Sequence, residues 1–83
     1  MTRIRREELA NLDITFAQFI APRLRAFLQA TDSYPDDLPD IQAWRAELDT
    51  MADAFEQLGC TTDYENIQPA LQLFARRLPH LWQ

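Results

Sequence analysis

The sequence predicts an all-α domain, a compact three- or four-helix bundle, and three observations predict it. Apolar residues recur at spacings of three and four in three separate stretches, the signature of helices with one buried stripe. The 83 residues include a single glycine, Gly59, too little for a turn-rich β protein. Hydrophobic residues make up 47% of the chain and include nine aromatics, enough for the one core that a domain of this size has to share.

The elements follow in chain order. Arg3 to Ala10 contains good helix formers and predicts a short first helix that stops at Asn11. Asp13 is the expected N-cap of a longer helix running to Ala30, with Phe16, Ala17, Ile20, Leu24, Phe27 and Leu28 as its apolar set. Pro22 falls opposite that set, so any kink opens towards solvent and the stripe stays continuous. Thr31 to Pro39 gathers turn formers and two prolines and reads as a loop.

The clearest helix covers residues 40–58. Asp40 caps it, Ile41, Trp44, Leu48, Met51, Phe55 and Leu58 step by 3, 4, 3, 4 and 3, and Gly59 supplies the left-handed stop. Thr62 and Glu65 have capping-box spacing, which starts a last helix at Asp63. Its stripe is Tyr64, Ile67, Leu71, Phe74, Leu78 and Trp82, in phase through Pro69 and Pro79. The alternative is a later start capped by Asn66, with Pro69 in the first turn.

Charge is distributed unevenly around a net of −5. All eight basic residues are arginines, and residues 1–31 and 66–83 each carry an excess of two positive charges. Residues 32–65 hold ten acids against Arg45 alone, a balance of −9. Such a molecule is polarised and repels phosphates, so direct nucleic-acid binding is not expected. A helix-turn-helix reading fails for the same reason, because the best-defined helix is acidic on its outer face. Arg3, Arg5 and Arg6 form the one plausible basic arm.

No apolar run approaches the roughly 20 residues that span a bilayer, so no membrane partner is expected. Arg3, Arg5 and Arg6 are followed by Glu7-Glu8 where a signal peptide would turn apolar. Cys60 is alone and cannot form an internal disulfide, and the chain reads as cytosolic. Catalysis needs a nucleophile with a base, a poised carboxylate pair or a cofactor loop, and none is visible. His80 and Cys60 are too few for a zinc set, and one glycine makes no phosphate loop. Neither catalytic residues, metal ligands nor a cofactor are expected.

The acidic face of the 40–58 helix is the candidate site. Asp49, Asp53 and Glu56 lie at spacings of four and three, away from Trp44, Leu48, Met51 and Phe55, and form one exposed column. Successive carboxylates stand roughly 4.5 to 6 Å apart along the axis, from the 1.5 Å rise per residue. That is comparable with the roughly 3.4 Å per phosphate of a nucleic-acid strand. Asp36 and Asp37 in the loop, with Asp32 beside them, and Asp63 and Glu65 in the turn extend this field. None of the three column acids has a basic partner at i+4, which leaves like charges to repel. The plain alternative is a solubilising surface.

From Leu12 to Glu56 the order Leu12-Asp13, Phe16-Ala17, Phe19-Ile20, Pro22-Arg23-Leu24, Phe27, Tyr34-Pro35, Trp44, Leu48-Asp49, Met51 and Ala54-Phe55-Glu56 resembles small uncharacterised proteins encoded by tailed phages and prophages. Leu73-Phe74-Ala75 and Leu81-Trp82 fit the same pattern, whereas Pro69 and Pro79 depart from it. The resemblance implies no activity and no site residues. A compact acidic helical phage protein is similar in character to anti-CRISPR inhibitors that imitate DNA to occupy a type I surveillance complex. The expected function is therefore inhibition in the host bacterial cytoplasm, by a monomer or weak homo-oligomer that sets its acids on a basic nucleic-acid-binding surface of a CRISPR-Cas subunit. The alternative is a phage accessory or assembly protein acting through helical contacts, with Phe19, off the main stripe, exposed for the purpose.

Overall fold

A computed structural model describes residues 4–58 and 64–82, apart from the side chain of Glu8. The chain is an all-α bundle, as its periodicity predicts. Its helices are α1 (Arg6–Ala10), α2 (Leu12–Ala30), α3 (Ile41–Leu58) and α4 (Tyr64–Arg77), followed by a single 3-10 turn, Leu78–His80. No described residue belongs to a strand. Gly59, Cys60, Thr62 and Asp63, and with them the expected stop and capping box, lie outside the described residues, as does Arg3 of the basic arm.

The middle helix is the hub. α3 packs against both α2 and α4, while the backbones of those two do not approach one another, and α1 rests on α2 alone. Its buried side is Trp44, Leu48, Met51, Phe55 and Leu58, the predicted stripe save for the half-buried Ile41, widened by Ala52 and Ala54 at its edges. Trp44, at 1% exposure, is among the largest fully buried side chains and meets the Phe27 ring edge-on at 6.4 Å. Phe16, Phe55 and Phe74 close the space between the outer helices with edge-to-face contacts of 5.0 to 6.2 Å between ring centroids. Such contacts stabilise beyond the area they bury.

Local chemistry sets most helix limits. Asp40 Oδ1 accepts from the Ala43 amide at 2.9 Å and caps α3 as expected. Asp13 does not cap α2. Helix begins two residues earlier than that cap implies, with Asn11 in the cap position and the Thr15 amide bonded to the Asn11 carbonyl, and Asp13 accepts instead from the Ile14 amide and the Tyr64 hydroxyl. α2 runs unbroken past Pro22, which faces solvent.

Against α3, α2 presents Ala17, Ala21 and Leu24, with Ile20, Phe27 and Leu28 half-buried. The small pair Ala17 and Ala21 lies between larger residues of the expected stripe, while Phe16 stays partly exposed.

α4 corrects the predicted stripe. The helix is continuous through the exposed Pro69, which decides between the two starts in favour of the earlier one. It ends at Arg77, where Pro79 cannot continue the ladder and the chain tightens into the 3-10 turn. That change of pitch throws Leu78 and Trp82 out of phase, and both are exposed. The buried positions are Ile67, Ala70 and Arg77, with Leu71, Leu73 and Phe74 packed at the margin. Among the described residues no helix is long and apolar enough to cross a membrane.

Candidate functional site

At about 100° per residue, Asp53 points nearly straight away from the buried side of α3, whereas Asp49 and Glu56 stand on the flank beside α2. The consequence is an arginine that α3 does not itself supply. Arg25 of α2 forks onto Glu56, Nε to Oε2 at 3.0 Å and Nη2 to Oε1 at 2.9 Å, and its Nη1 donates to Asp49 Oδ1. Two carboxylates about 10 Å apart along the axis thus share one cation, and the column is not the unrelieved run of like charge that its i+4 spacings imply. Arg25 holds the Glu56 carboxyl below its ordinary value of 4.5, and the pair raises the guanidinium in return. Arg45, four residues before Asp49, turns instead to the Thr31 carbonyl at 3.4 Å.

A second arginine does the same on the other side of α3. Arg77 is buried, with Nε and Nη2 on Glu47 at 2.6 and 3.2 Å and Nη1 on Asp37 Oδ1 at 3.0 Å. Its guanidinium lies 5.9 Å from the centre of the Trp44 ring. Asp37 is delivered by a turn closed from the Leu38 amide to the Pro35 carbonyl at 3.0 Å, with Asp36 and Asp37 at its central positions. The Arg77 hydrogen bond holds the Asp37 carboxyl below 3.8. Asp36 projects to solvent.

Asp53 and Glu65 remain on the surface with no cation on them. Asp53 Oδ2 accepts from the Gln57 amide at 2.7 Å, and Gln57 accepts from Asn66 at 3.2 Å, so an amide chain ties the end of α3 to the start of α4. Glu65 sits in the first turn of α4, where a negative charge complements the helix dipole.

The seven predicted residues therefore do not form one patch. Asp36 and Asp37 lie at the N-terminal end of α3 and Asp53, Glu56 and Glu65 towards the other, about 20 Å away by helical rise. Asp63 lies outside the described residues.

Arg25, Glu47 and Arg77 are the participants that sequence reasoning missed. One signal was readable: Ile67, Ala70, Phe74 and Arg77 step by 3, 4 and 3, which places Arg77 on the inner side of α4. Among the described residues no group of three His, Cys, Asp or Glu side chains is placed to hold a metal ion. Comparison of the chain with protein-family models, with curated proteins and with solved structures finds no match.

Proposed function

We propose that this protein is a phage-derived inhibitory binding protein that sets its acidic surface on the basic nucleic-acid-binding surface of a protein partner, with a subunit of a type I CRISPR-Cas surveillance complex as the candidate. The observation that carries the reading is the surplus of acid around α3 after its internal pairing is counted. Residues 32–58 hold eight acids against Arg45, and even with Arg25 and Arg77 folded onto them five negative charges are left over. Asp53, Glu65, Asp32 and Asp36 face solvent without a cation on them, and a basic channel is the surface they attract.

The pairing also selects the variant that tests the reading. Reversing Asp49 or Glu56 strands Arg25 among cations and perturbs the α2–α3 contact, whereas Asp53→Lys with Glu65→Lys leaves both arginine clasps in place. The assay is target-DNA binding by a purified type I surveillance complex, with and without the protein. Wild type is expected to suppress DNA binding, less so as salt rises, and the double variant to be at least about tenfold weaker while keeping its helical spectrum. Equal suppression by both proteins would refute the electrostatic mechanism.

A second reading, an assembly or accessory role, is favoured by a separate observation. Leu12, Phe16 and Phe19 are exposed along one side of α2, Phe19 by 52% under the Arg23 guanidinium at 3.8 Å, and Leu9 of α1 is exposed nearby in sequence. Folded wild type that leaves the complex untouched, yet self-associates until Phe19→Ser disperses it, would establish that role in its place.

A further inference from the structure

A pocket of about 220 Å³ opens between the α2–α3 loop and the C-terminal turn, at the end of the molecule remote from Asp53 and Glu65. Trp44, almost wholly buried, contributes to it from the core, and Tyr34, the buried Pro35, His80 and Trp82 line it as well. The one acid in the lining is Asp32. Among the described residues Asp32 has no hydrogen-bond or ion-pair partner. The loop that carries it is shaped locally, Thr31 Oγ1 donating to the Ser33 carbonyl at 3.1 Å. Trp82 is 76% exposed, although the half-buried Leu81 anchors the segment to the core beside it. Neither the helical stripe nor the acidic surface accounts for so open a tryptophan in the wall of a pocket.

Three aromatic rings and one unpartnered carboxylate form the chemistry that selects an organic cation. Size narrows the ligand, because the volume falls below the roughly 300–1,000 Å³ of sites for drug-sized molecules and suits a single side chain. Geometry narrows it again: a guanidinium stacks flat on indole or phenol while forking onto a carboxylate, and it is more easily desolvated than an ammonium. The Trp44 ring already has the Arg77 guanidinium beside it, and Phe19 has that of Arg23, so such pairing is native to this fold. Arg25 and Arg77 are held by carboxylates outside the pocket and Arg45 by the carbonyl of Thr31 at its edge, and none of the three is in the lining. We propose that this pocket receives one arginine side chain presented by a protein partner, with Asp32 taking the guanidinium and Tyr34 and Trp82 stacking against it. The inference goes beyond the acidic-surface reading: it shares Asp32 with that surface, but its selectivity comes from Tyr34 and Trp82, which that reading does not use.

The probe is N-acetyl-arginine amide, with the citrulline counterpart as an isosteric neutral control. Binding is followed through the indole N–H resonances of Trp44 and Trp82 and through tryptophan emission. A saturable response to the arginine amide is expected, at least about tenfold weaker for citrulline. Asp32→Asn, which breaks no internal contact, should weaken binding about tenfold, as loss of one charge-assisted bidentate pair does. Trp82→Ala should weaken it comparably, while Asp53→Lys with Glu65→Lys should leave it unchanged. Equal binding of citrulline, an unaffected Asp32→Asn, or no saturation at all would overturn the assignment. Loss of arginine binding in the Asp53/Glu65 variant alone would move the site to the acidic surface. Intact arginine binding with failed inhibition of the surveillance complex would leave the pocket standing and sink the mimicry reading.

Discussion

The Arg77 clasp gives the sharpest stability prediction, because its three members differ in exposure. The arginine side chain is 6% exposed, Glu47 23% and Asp37 64%. Removing one partner of a buried ion pair costs about 3–5 kcal/mol, chiefly because the other charge is left uncompensated. Glu47→Leu strands the arginine, which keeps only its bond to the solvated Asp37, so the cost falls near the lower limit, about 3 kcal/mol. Arg77→Met strands Glu47, which already reaches water, and should cost about 2 kcal/mol. Both changes together remove the charge problem and leave apolar groups to pack against Trp44. The double variant should therefore lose about 3 kcal/mol or less, not the roughly 5 kcal/mol that additivity requires. Urea unfolding followed by helical circular dichroism measures all four proteins, and an unchanged m-value confirms that the same surface is exposed in each. For a domain of this size each 1 kcal/mol corresponds to about 4–8 °C in Tm, so the differences are well resolved. Additivity within about 0.5 kcal/mol would refute the claim that Glu47 and Arg77 act as a pair.

Trp44→Ala should cost about 3–5 kcal/mol, since it empties a fully buried site against Phe27 at the loop end of the α2–α3 contact; a loss below about 1 kcal/mol in the same urea assay would contradict the burial. Acid should destabilise the fold through Glu56 and Asp37, whose carboxyls are held below 4.5 and 3.8 in the folded state. Folded values below the unfolded ones give a contribution fully present above the unfolded values and lost as pH falls through the folded ones. Stability measured from pH 6 downwards should therefore fall less steeply in Arg25→Gln than in wild type, and parallel profiles would contradict the clasp. The Tyr64 hydroxyl donates to Asp13, so the phenol should titrate above its ordinary 10.0 and Asp13→Asn should return it there, as read from tyrosine ring carbons by NMR.

Legibility in the sequence follows from how each interaction is specified. The cap and the buried stripe of α3 were readable because both act within one helix and leave their spacing in the sequence. The limits of α4 were less so. The stripe from Tyr64 to Trp82 keeps its spacing on paper, but spacing records no change of pitch, and the 3-10 turn at Pro79 takes Leu78 and Trp82 out of the core. Asp13 looked like a cap because residue type alone suits it, while its structural role is the cross-chain bond to Tyr64, 51 positions away. The acidic column was found, and its neutralisation was not, for the same reason. Pairing within a helix is encoded at i+4, but pairing from Arg25 depends on how closely α2 approaches α3, and Ala17 and Ala21 hold the helices together in a way no charge pattern displays.

That neutralisation changes what an acidic helix is able to do. A basic partner approaching Asp49 and Glu56 meets carboxylates that already hold a bidentate arginine, so it has to displace Arg25 and expose the α2–α3 flank, and the exchange of one guanidinium for another gains little. Asp53 and Glu65 present no such competition, and neither does Asp32 in the aromatic pocket. Recognition by this protein should therefore concentrate at Asp32 beyond the N-terminal end of α3 and at Asp53 and Glu65 towards the other end, at least about 20 Å apart by helical rise, with Asp49 and Glu56 serving to join helices. A partner that spans both ends gains two independent attachments whose effects multiply when the geometry permits simultaneous contact. Asp32→Asn and Asp53→Lys should then each weaken the complex, and combined they should weaken it by the product of the two factors. Binding measured by titration calorimetry against such a partner distinguishes this from a single continuous acidic face, in which Asp49→Asn would matter as much as either.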